Sequence, residues 1–251
     1  MKFDELETRM RLFETAHDHS VLPGVFMVAR MDGRSFTRLT RDVHGLEAPY
    51  DERFRDCMID TVERLMQCGF AVAYGYTQSD EISLLFRRDE SAFGRKLRKF
   101  NSVLAGEASA AFTHALGAPG AFDARVSQLP TTRDVVDYFR WRQEDAHRNA
   151  LGGHCYWLLR SQGKTEREAT VRLQGASVAA RNELLFDHGI NFNELPLWQR
   201  RGIGFTWESY EKEGRNPTTG QSVVALRRRV AVNLELPMKL DYERMIAEVI
   251  E

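Results

Sequence analysis

The chain has 251 residues, 43% of them hydrophobic and 28% charged, which is typical of a folded globular protein. It contains no run of about 18 apolar residues, which excludes a membrane-spanning helix. Its formal net charge is −1, so any contact with a nucleic acid must use local basic patches rather than a long-range attraction.

The cysteines and the N-terminus bear on the cellular compartment. Three cysteines, Cys57, Cys68 and Cys155, are an odd number without a paired C-x-x-C spacing. This pattern disfavours a zinc site or a disulfide framework and indicates reduced thiols. Residues 1–5 are polar and lack the apolar segment of a secretory signal. We therefore expect a cytoplasmic protein with no membrane partner.

The first half of the chain alternates between helical and strand patterns. Apolar stripes of helical spacing predict helices, and short apolar runs bounded by Gly, Pro or Asp predict strands. In chain order these are a helix at 3–17, a strand at 25–29 that ends at Asp32-Gly33, a helix at 51–67, strands at 70–76 and 82–86, a helix at 91–116 and a strand at 122–129.

After the first helix, this order is β-α-β-β-α-β, the ferredoxin-like unit of an α+β fold. In that topology the first and third strands are antiparallel neighbours at the centre of the sheet. The end of the first strand, at Asp32, therefore lies beside the start of the third, at Asp80 and Glu81.

After Pro130 the pattern becomes mostly helical. Helices are predicted at 132–145, 156–159, 172–187 and 241–250, with a hairpin of strands at 203–207 and 223–236. No repeat, low-complexity tract or linker separates the two halves. We therefore predict a core at 1–130, including the N-terminal helix, and an extension at 131–251, packed together as one unit.

Asp32 and Asp80 are the most informative residues. Two carboxylates a few ångströms apart repel each other and are commonly bridged by a divalent cation. Gly33 allows a phosphate to approach the backbone, so the pattern predicts Mg²⁺ holding a nucleoside triphosphate. The alternative is a pair of turn carboxylates that cap helices, since Asp-Gly is a common turn dipeptide. We favour the metal site because the predicted fold places the two residues side by side.

Five separated motifs then occur in a characteristic order. They are Arg30-x-Asp-Gly-Arg-x-Phe36, Tyr74-Gly75 with Ser79-Asp80-Glu81, Phe122-Asp123-x-Arg125-Val126, Tyr138-x-x-Trp141-Arg142-Gln143-x-Asp145-x-His147-x-Asn149, and Arg172-Leu173-Gln174-Gly175 with Asn182-Glu183. Together they resemble the tRNA-His guanylyltransferase family, including its Thg-like bacterial and archaeal branch. The resemblance implies a palm-like catalytic domain, similar to that of conventional polymerases, which adds nucleotides to the 5′ end of tRNA in the 3′-to-5′ direction.

The resemblance also implies roles for individual residues. Asp32, Asp80 and the carbonyl of Gly33 would hold two Mg²⁺ ions, and Glu81 would support the metals or a proton transfer. ATP and GTP would be the nucleotide substrates. The residues implied to contact the nucleotide and its phosphates are Asp32, Gly33, Arg34, Ser35, Phe36, Thr37, Ser79, Asp80, Lys96 and Lys99. For the two lysines, one solvated helix face is the alternative interpretation.

Three residues are implied in tRNA binding: His147, Asn149 and Arg181. His147 and Asn149 match part of a His-x-Asn-Asn signature, which here ends in Ala150. This departure argues against strict tRNA-His specificity and fits the Thg-like branch, which resembles a template-dependent repair polymerase for 5′-truncated tRNAs. The alternative for His147 is a histidine on the helix surface or in the packing.

The predicted function is therefore a Mg²⁺-dependent nucleotidyltransferase that extends tRNA at its 5′ end. A palm-type nucleotide cyclase and a non-catalytic tRNA-binding protein are the alternatives. The resemblance implies a homotetramer built as a dimer of dimers. Pooling basic patches at 95–99 and 227–229 across subunits would compensate for the small net charge.

Overall fold

The computed structural model describes residues 2–215 and 221–250; Met1 and Glu251, the outer ends of the predicted halves, lie outside them. The first half contains the predicted β-α-β-β-α-β unit. Its elements are α1 (Phe3–Glu14), β1 (Phe26–Gly33), α2 (Phe36–Arg38) with a π-helical turn (Leu39–Val43), α3 (Glu52–Met66), β2 (Val72–Gln78), β3 (Glu81–Phe86), α4 (Leu97–Leu116) and β4 (Phe122–Leu129). The predicted α+β order is confirmed.

Helix α4 begins at Leu97 rather than at Ser91 as predicted. In the preceding turn, Phe93, Gly94 and Arg95 have positive φ angles of 52°, 61° and 59°, which an α-helix does not allow. The buried Arg95 side chain stabilises this turn by donating hydrogen bonds to four main-chain carbonyls. The acceptors are Val21, Val25, Arg88 and Glu90.

The second half contributes both helices and strands. Its elements are α5 (Thr132–Ser161), α6 (Glu166–Leu173), α7 (Val178–Phe186), α8 (Leu197–Arg201), β5 (Ile203–Arg215), β6 (Ser222–Asn233) and α9 (Leu240–Ile250). Two predictions were wrong. One helix of 30 residues replaces the predicted helices at 132–145 and 156–159, and two helices replace the single one predicted at 172–187.

Glycines end α6 but do not interrupt α5. Gly152 and Gly153 lie inside α5, where a Cβ would make an ordinary van der Waals contact at 3.5 Å with Arg181 and with Pro49 respectively. Gly175 has a φ of 70° and ends the α6 region. The hydroxyl of Ser177 then accepts a hydrogen bond from the amide of Ala180 at 3.1 Å and caps α7.

The hairpin of β5 and β6 extends the sheet of the first half. All neighbouring strands are antiparallel, in the order β4-β1-β3-β2-β5-β6. Asp32 of β1 is directly opposite Glu81 of β3, which confirms the predicted adjacency. Strand β5 pairs with the end of β2, where Ile203 is opposite Thr77. The second half therefore borders the end of β2 that leads to Asp80.

Strand β1 is buried on both faces, as its continuous apolar run predicts. Met27, Ala29 and Met31 pack with residues of α3 and α4, whereas Phe26 and Val28 pack with residues of α5 and α9. Because side chains alternate along a strand, Arg30 and Asp32 continue the face that α5 covers. The candidate site therefore lies where the sheet meets α5.

Two simpler expectations can be compared with the described residues. Within them, no helix has the length and apolarity that crossing a membrane requires. The thiols of Cys57, Cys68 and Cys155 are free, and Cys57 and Cys155 are buried.

Gly202, between α8 and β5, is a position where we expect a side chain to be poorly tolerated. Its φ is 75°, and a Cβ would lie 2.7 Å from the carbonyl oxygen of Thr77. Gly202→Ala should therefore lower the free energy of unfolding by about 2–4 kcal/mol in urea denaturation. Gly106→Ala is the control, because a Cβ in that exposed part of α4 meets no atom within 4 Å. It should raise the free energy of unfolding by about 0.5–1 kcal/mol, and equal effects at both positions would show that the contact with Thr77 does not require glycine.

Candidate active site

The structure brings Asp32, Gly33 and Asp80 together at one end of the sheet. Asp32 and Gly33 end β1, and Asp80 lies in the turn between β2 and β3. The amide of Gly33 donates a hydrogen bond to the carbonyl of Asp80 at 3.0 Å. A Cβ on Gly33 would lie 2.9 Å from that of Asp80, so glycine is required for this close approach.

Asp80 carries the less compensated charge of the pair. Among the described residues, its carboxylate accepts a hydrogen bond from the hydroxyl of neighbouring Ser79 at 3.2 Å and forms no ion pair. Burial raises the pKa of Asp80, and the nearby charge of Asp32 raises it further. A half-buried carboxylate without a cationic partner, next to a second carboxylate, is suited to a divalent cation.

Arginines surround the other two carboxylates. Asp32 accepts hydrogen bonds on Oδ2 from Arg30 at 3.2 Å and from Arg125 at 3.0 Å. Glu81 is paired on both oxygens, Oε1 with Arg30 and Oε2 with Arg142 at 3.2 Å. Burial nevertheless raises the pKa of Glu81, although both arginines oppose this shift. Glu81 is therefore placed to support the site rather than to bind a metal directly.

The predicted ligand set fits a metal ion that also binds a substrate. No group of three or more His, Cys, Asp or Glu side chains suited to a metal occurs between residues 2 and 215 or between 221 and 250. Asp32, Asp80 and the Gly33 carbonyl supply few ligands, all of them hard oxygens. A Mg²⁺ ion there would complete its octahedral shell with phosphate oxygens and water, which is its usual behaviour.

A pocket opens beside Asp80. It lies between the α2 region, the segment that leads into α3, the β2–β3 turn and α8. Four predicted residues line it: Phe36, Thr37, Ser79 and Asp80. Further wall residues were not predicted. Thr40 and Arg41 follow the predicted Thr37 closely but belong to no recognised motif, and the others, which include Tyr50, Arg55, Trp198 and Gln199, come from more distant segments. The aromatic and basic walls are chemically suited to a nucleotide.

The residues that follow Gly33 have different environments. Arg34 and Ser35 are exposed, and Ser35 enters α2 with a φ of 60°. Phe36 is 3% exposed, and its ring centroid lies 4.8 Å from that of Phe112. Phe36 is thus mainly a core residue that anchors the loop, whereas Arg34 and Ser35 remain available to phosphates.

Lys96 and Lys99 do not join the carboxylates of their own chain. The segment before α4 is held at the entrance of β1, where the guanidinium of Arg95 donates to the carbonyl of Val25 at 2.6 Å. Asp32 is at the other end of this strand of 8 residues, roughly 23 Å away at about 3.3 Å per residue. Lys96 also precedes α4, so it shares no helix face with Lys99. Both lysines therefore lie at the opposite end of β1 from Asp32, and their predicted contact with a triphosphate stays a prediction.

His147 faces the interior of the helical half. Its ring is half-buried and lies 5.2 Å from that of Phe192. Burial is the main cause of a lowered pKa of His147, and the charge of Arg200 adds to it. Its Nδ1 atom is buried without a hydrogen-bond partner in the described structure, at the edge of a groove that also contains Asn182 and Glu183. The lowered pKa favours the neutral form of the His147 ring. The ring also lies close to Asn182 and Glu183, which belong to the recognised motifs.

Asn149 and Arg181, the other two predicted tRNA contacts, have separate surroundings. Asn149 is exposed and lies about 200° around α5 from His147. Arg181 is half-buried and donates to the carbonyl of Leu173 at 3.3 Å, so it also ties α7 to the α6 region. Ala150 is fully buried, so the departure from the signature lies in the core of this chain. A Cβ at Gly152, about one turn after Asn149 on α5, would lie 3.5 Å from Nη1 of Arg181, so Arg181 packs near the Asn149 side of the helix.

The fold and the carboxylate site define this chain as an α+β protein with a palm-like core. Over 98% of its length it superposes on 99% of a bacterial tRNA(His) guanylyltransferase (Thg1)-like protein in complex with ATP, with a TM-score of 0.75 and 26% identity. The tRNA(His) guanylyltransferase of Saccharomyces cerevisiae shares the fold, with a TM-score of 0.72 and 24% identity over 81% of this chain and 92% of that one.

The chain belongs to the tRNA(His) guanylyltransferase family, whose members are transferases. The family model described as tRNAHis guanylyltransferase matches residues 7–130, and the model of the Thg1 C-terminal domain matches residues 133–239. A probable tRNA(His) guanylyltransferase of Bos taurus is 32% identical over 86% of this chain and 78% of that protein. Another from Drosophila melanogaster is 35% identical over 74% of this chain and 68% of that protein.

The raised pKa of Asp80 implies that the folding stability of the protein depends on pH. Between the ordinary aspartate pKa of 3.8 and the raised value, the folded chain binds more protons than the unfolded chain, so stability falls as the pH rises through this interval. Asp80→Asn should therefore unfold at a higher temperature than the parent near neutral pH, and this difference should shrink as the pH falls towards 3.8. Added Mg²⁺ should stabilise the parent more than the variant. Thermal unfolding followed by circular dichroism measures both effects; a variant less stable than the parent near neutral pH would exclude a destabilising charge at Asp80.

Proposed function

We propose that this protein is a Mg²⁺-dependent nucleotidyltransferase that adds nucleotides to the 5′ end of tRNA in the 3′-to-5′ direction. The observation that carries the proposal is the Asp32–Asp80 pair beside a pocket with aromatic and basic walls in a chain of this family. Solved bacterial relatives in complex with ATP and with GTP support these nucleotides as substrates. Template-dependent repair of 5′-truncated tRNA is the task that we propose.

The residues of the site would bind and orient the nucleotide. The pocket residues Thr37 and Ser79 offer hydroxyl groups to the nucleotide. Arg34 is exposed, and its guanidinium can form bidentate hydrogen bonds to phosphate oxygens. Mg²⁺ bound by Asp32, Asp80 and the Gly33 carbonyl would supply positive charge for the attacking and leaving oxygens of an in-line displacement.

Two displacements at phosphorus would follow one another at this site. In the first, an oxygen of the tRNA 5′-monophosphate attacks the α-phosphorus of ATP or GTP, and pyrophosphate leaves. In the second, the 3′-hydroxyl of an incoming nucleotide attacks the 5′-phosphorus of the RNA, and the activating nucleoside monophosphate leaves. One pair of carboxylates suffices because both steps are in-line attacks beside the same two side chains.

The helical half would receive the tRNA. His147, Asn149 and Arg181 belong to α5 and α7, and the groove beside His147 is lined by further amide side chains at Asn182 and Asn191. Exposed Asn149 is the most accessible of the three predicted contacts, whereas Arg181 would combine a phosphate contact with its packing role. A cytoplasmic location, which would bring the protein together with tRNA, stays a prediction.

Asp32→Ala and Asp80→Ala should each reduce 5′ nucleotide addition more than about 100-fold, the scale seen when a key electrostatic group is removed. Asp123→Ala is the matched control. Asp123 lies on β4 directly opposite Asp32, its side chain is 73% exposed, and its ion pair with Arg125 is long, at 3.8 Å. The control should retain activity within a few-fold. The measurement is single-turnover extension of labelled full-length and 5′-truncated tRNA with Mg²⁺ and nucleotides. A cyclic nucleotide product, or binding without extension, would instead support one of the alternative functions.

We also propose that the protein acts as a homotetramer. Large apolar side chains are exposed on α1 and β6; they include Phe3 at 74%, Phe13 at 68% and Leu226 at 73%. Such surfaces are typical of contacts between subunits. Lys96 and Lys99 lie far from the carboxylates of their own chain, so we expect them to meet the phosphates of an RNA that spans more than one subunit.

The predicted basic patch at residues 95–99 offers less positive charge to RNA than its sequence indicates. Arg95 is buried, and both Lys96 and Arg98 form ion pairs with Asp18. Pooling patches across subunits would enlarge the basic surface offered to a polyanion.

Light scattering of the purified protein, alone and with tRNA, tests the oligomeric state. We expect a tetramer in both cases, and tRNA binding that weakens steeply as salt is added, because phosphate contacts release counterions. A monomer that extends tRNA at the full rate would contradict the proposed assembly.

A further inference from the structure

Arg142 is a buried arginine at the junction of the two halves. It lies on α5, and only 3% of its side chain is exposed. Its Nη1 donates to Oε2 of Glu81 at 3.2 Å, and its Nη2 is paired with Oδ2 of Asp145. The guanidinium also lies 4.1 Å from the ring centroid of Trp141, which is 50% exposed. Arg142 belongs to a recognised motif, yet the proposed reaction assigns it no part.

The contacts of Arg142 continue to the carboxylate pair. Glu81 uses its second oxygen for Arg30, and the same Nη2 atom of Arg30 also donates to Asp32 at 3.2 Å. Asp32, Arg30, Glu81 and Arg142 thus form a row of alternating charges. Arg30 and Glu81 are only 17% and 20% exposed, so each charge depends on its neighbours for compensation.

The row also extends towards the exposed side of α5. Asp145, the second partner of Arg142, accepts hydrogen bonds from Arg148 at 2.9 Å and from Asn149 at 3.4 Å. Arg148 and Asn149 are both exposed. Arg142 is therefore the point at which α5 is attached to the carboxylates of the sheet.

We propose that Arg142 is a positioning residue for the nucleotidyl transfer, and the proposal rests on the function given above. By holding one oxygen of Glu81, Arg142 keeps the other oxygen on Arg30, and Arg30 in turn remains shared between Glu81 and Asp32. Without Arg142, Glu81 can rotate and Arg30 can shift its contact with Asp32. Since reacting groups must be held within about 0.5 Å, this loosening slows the reaction without changing the nucleotide pocket itself.

The first test compares Arg142→Met with Arg95→Met. Methionine fills a similar space, but removing one partner of a buried ion pair is strongly destabilising, so circular dichroism first checks that the variant is folded. Arg142→Met should lower the single-turnover rate of 5′ addition about 10- to 100-fold, the usual effect of losing a group that orients metal ligands. The KM for ATP should stay within about threefold of the parent, because Arg142 does not line the pocket.

Arg95→Met is the matched control. Arg95 is similarly buried, at 6% exposure, but donates to main-chain carbonyls at the opposite end of the sheet. This variant is a control for stability: it removes a similarly buried arginine far from Glu81 and should lose stability in urea. If Arg142→Met does not fold, Arg142→Lys takes its place. Lysine keeps the positive charge but lacks the planar guanidinium that donates to both carboxylates.

The second test does not depend on activity. The shift in urea midpoint caused by Arg142→Met is measured in the parent and in a Glu81→Gln background. If Arg142 acts through Glu81, the shift should be at least halved in that background, whereas the shift caused by Arg95→Met should be unchanged because distant sites are additive.

The outcomes separate this proposal from the proposed function. A rate for folded Arg142→Met within threefold of the parent, or equal urea shifts in both backgrounds, would each overturn the positioning role. A parent protein that adds no nucleotide to any tRNA would instead refute the proposed function, and the urea comparison would still decide whether Arg142 holds Glu81.

Discussion

The antiparallel pairing of β1 with β3 is the constraint on which the candidate site depends. It sets Asp32 directly opposite Glu81 and brings Asp80, one residue earlier, against Gly33. Three carboxylates then share one end of the sheet, and their mutual repulsion must be compensated. Arginines neutralise Asp32 and Glu81, whereas Asp80 is left with a hydroxyl donor and a raised pKa. This uneven distribution of positive charge is what makes the Asp32–Asp80 side of the cluster suitable for a cation.

The second half of the chain completes the site. Helix α5 lies on the sheet face to which Asp32 belongs and supplies Arg142. Helix α8 and the start of β5 close the pocket with Trp198 and Ile203. The pocket walls thus come from both halves of the chain. For this reason the two halves are better understood as parts of one functional unit than as a catalytic domain with an accessory segment.

The candidate site was predicted well where it depends on local sequence. A buried strand that ends in Asp-Gly, and a tight turn that ends in Asp-Glu, are readable from a few neighbouring residues, and the split β-α-β order then places them together. The sequence could not place Lys96 and Lys99 relative to the carboxylates, because their distance from Asp32 depends on the direction of α4 along the sheet. It was also incomplete for Glu81, since neither Arg30 nor Arg142 could be recognised as its partner without the packing of α5.

By itself, the sequence determined the order of the elements, the burial of β1 and the adjacency of Asp32 and Asp80, because periodicity and strand ends are local properties. Its ordered motifs also indicated the family. Only the tertiary structure decided that residues 132–161 form one helix through Gly152 and Gly153, that the late hairpin extends the sheet, and that Ala150 is in the core. It also decided the state of each charge at the site. The physical reason is that ion pairing and burial depend on which distant side chains meet, and such contacts leave no periodic signal along the chain.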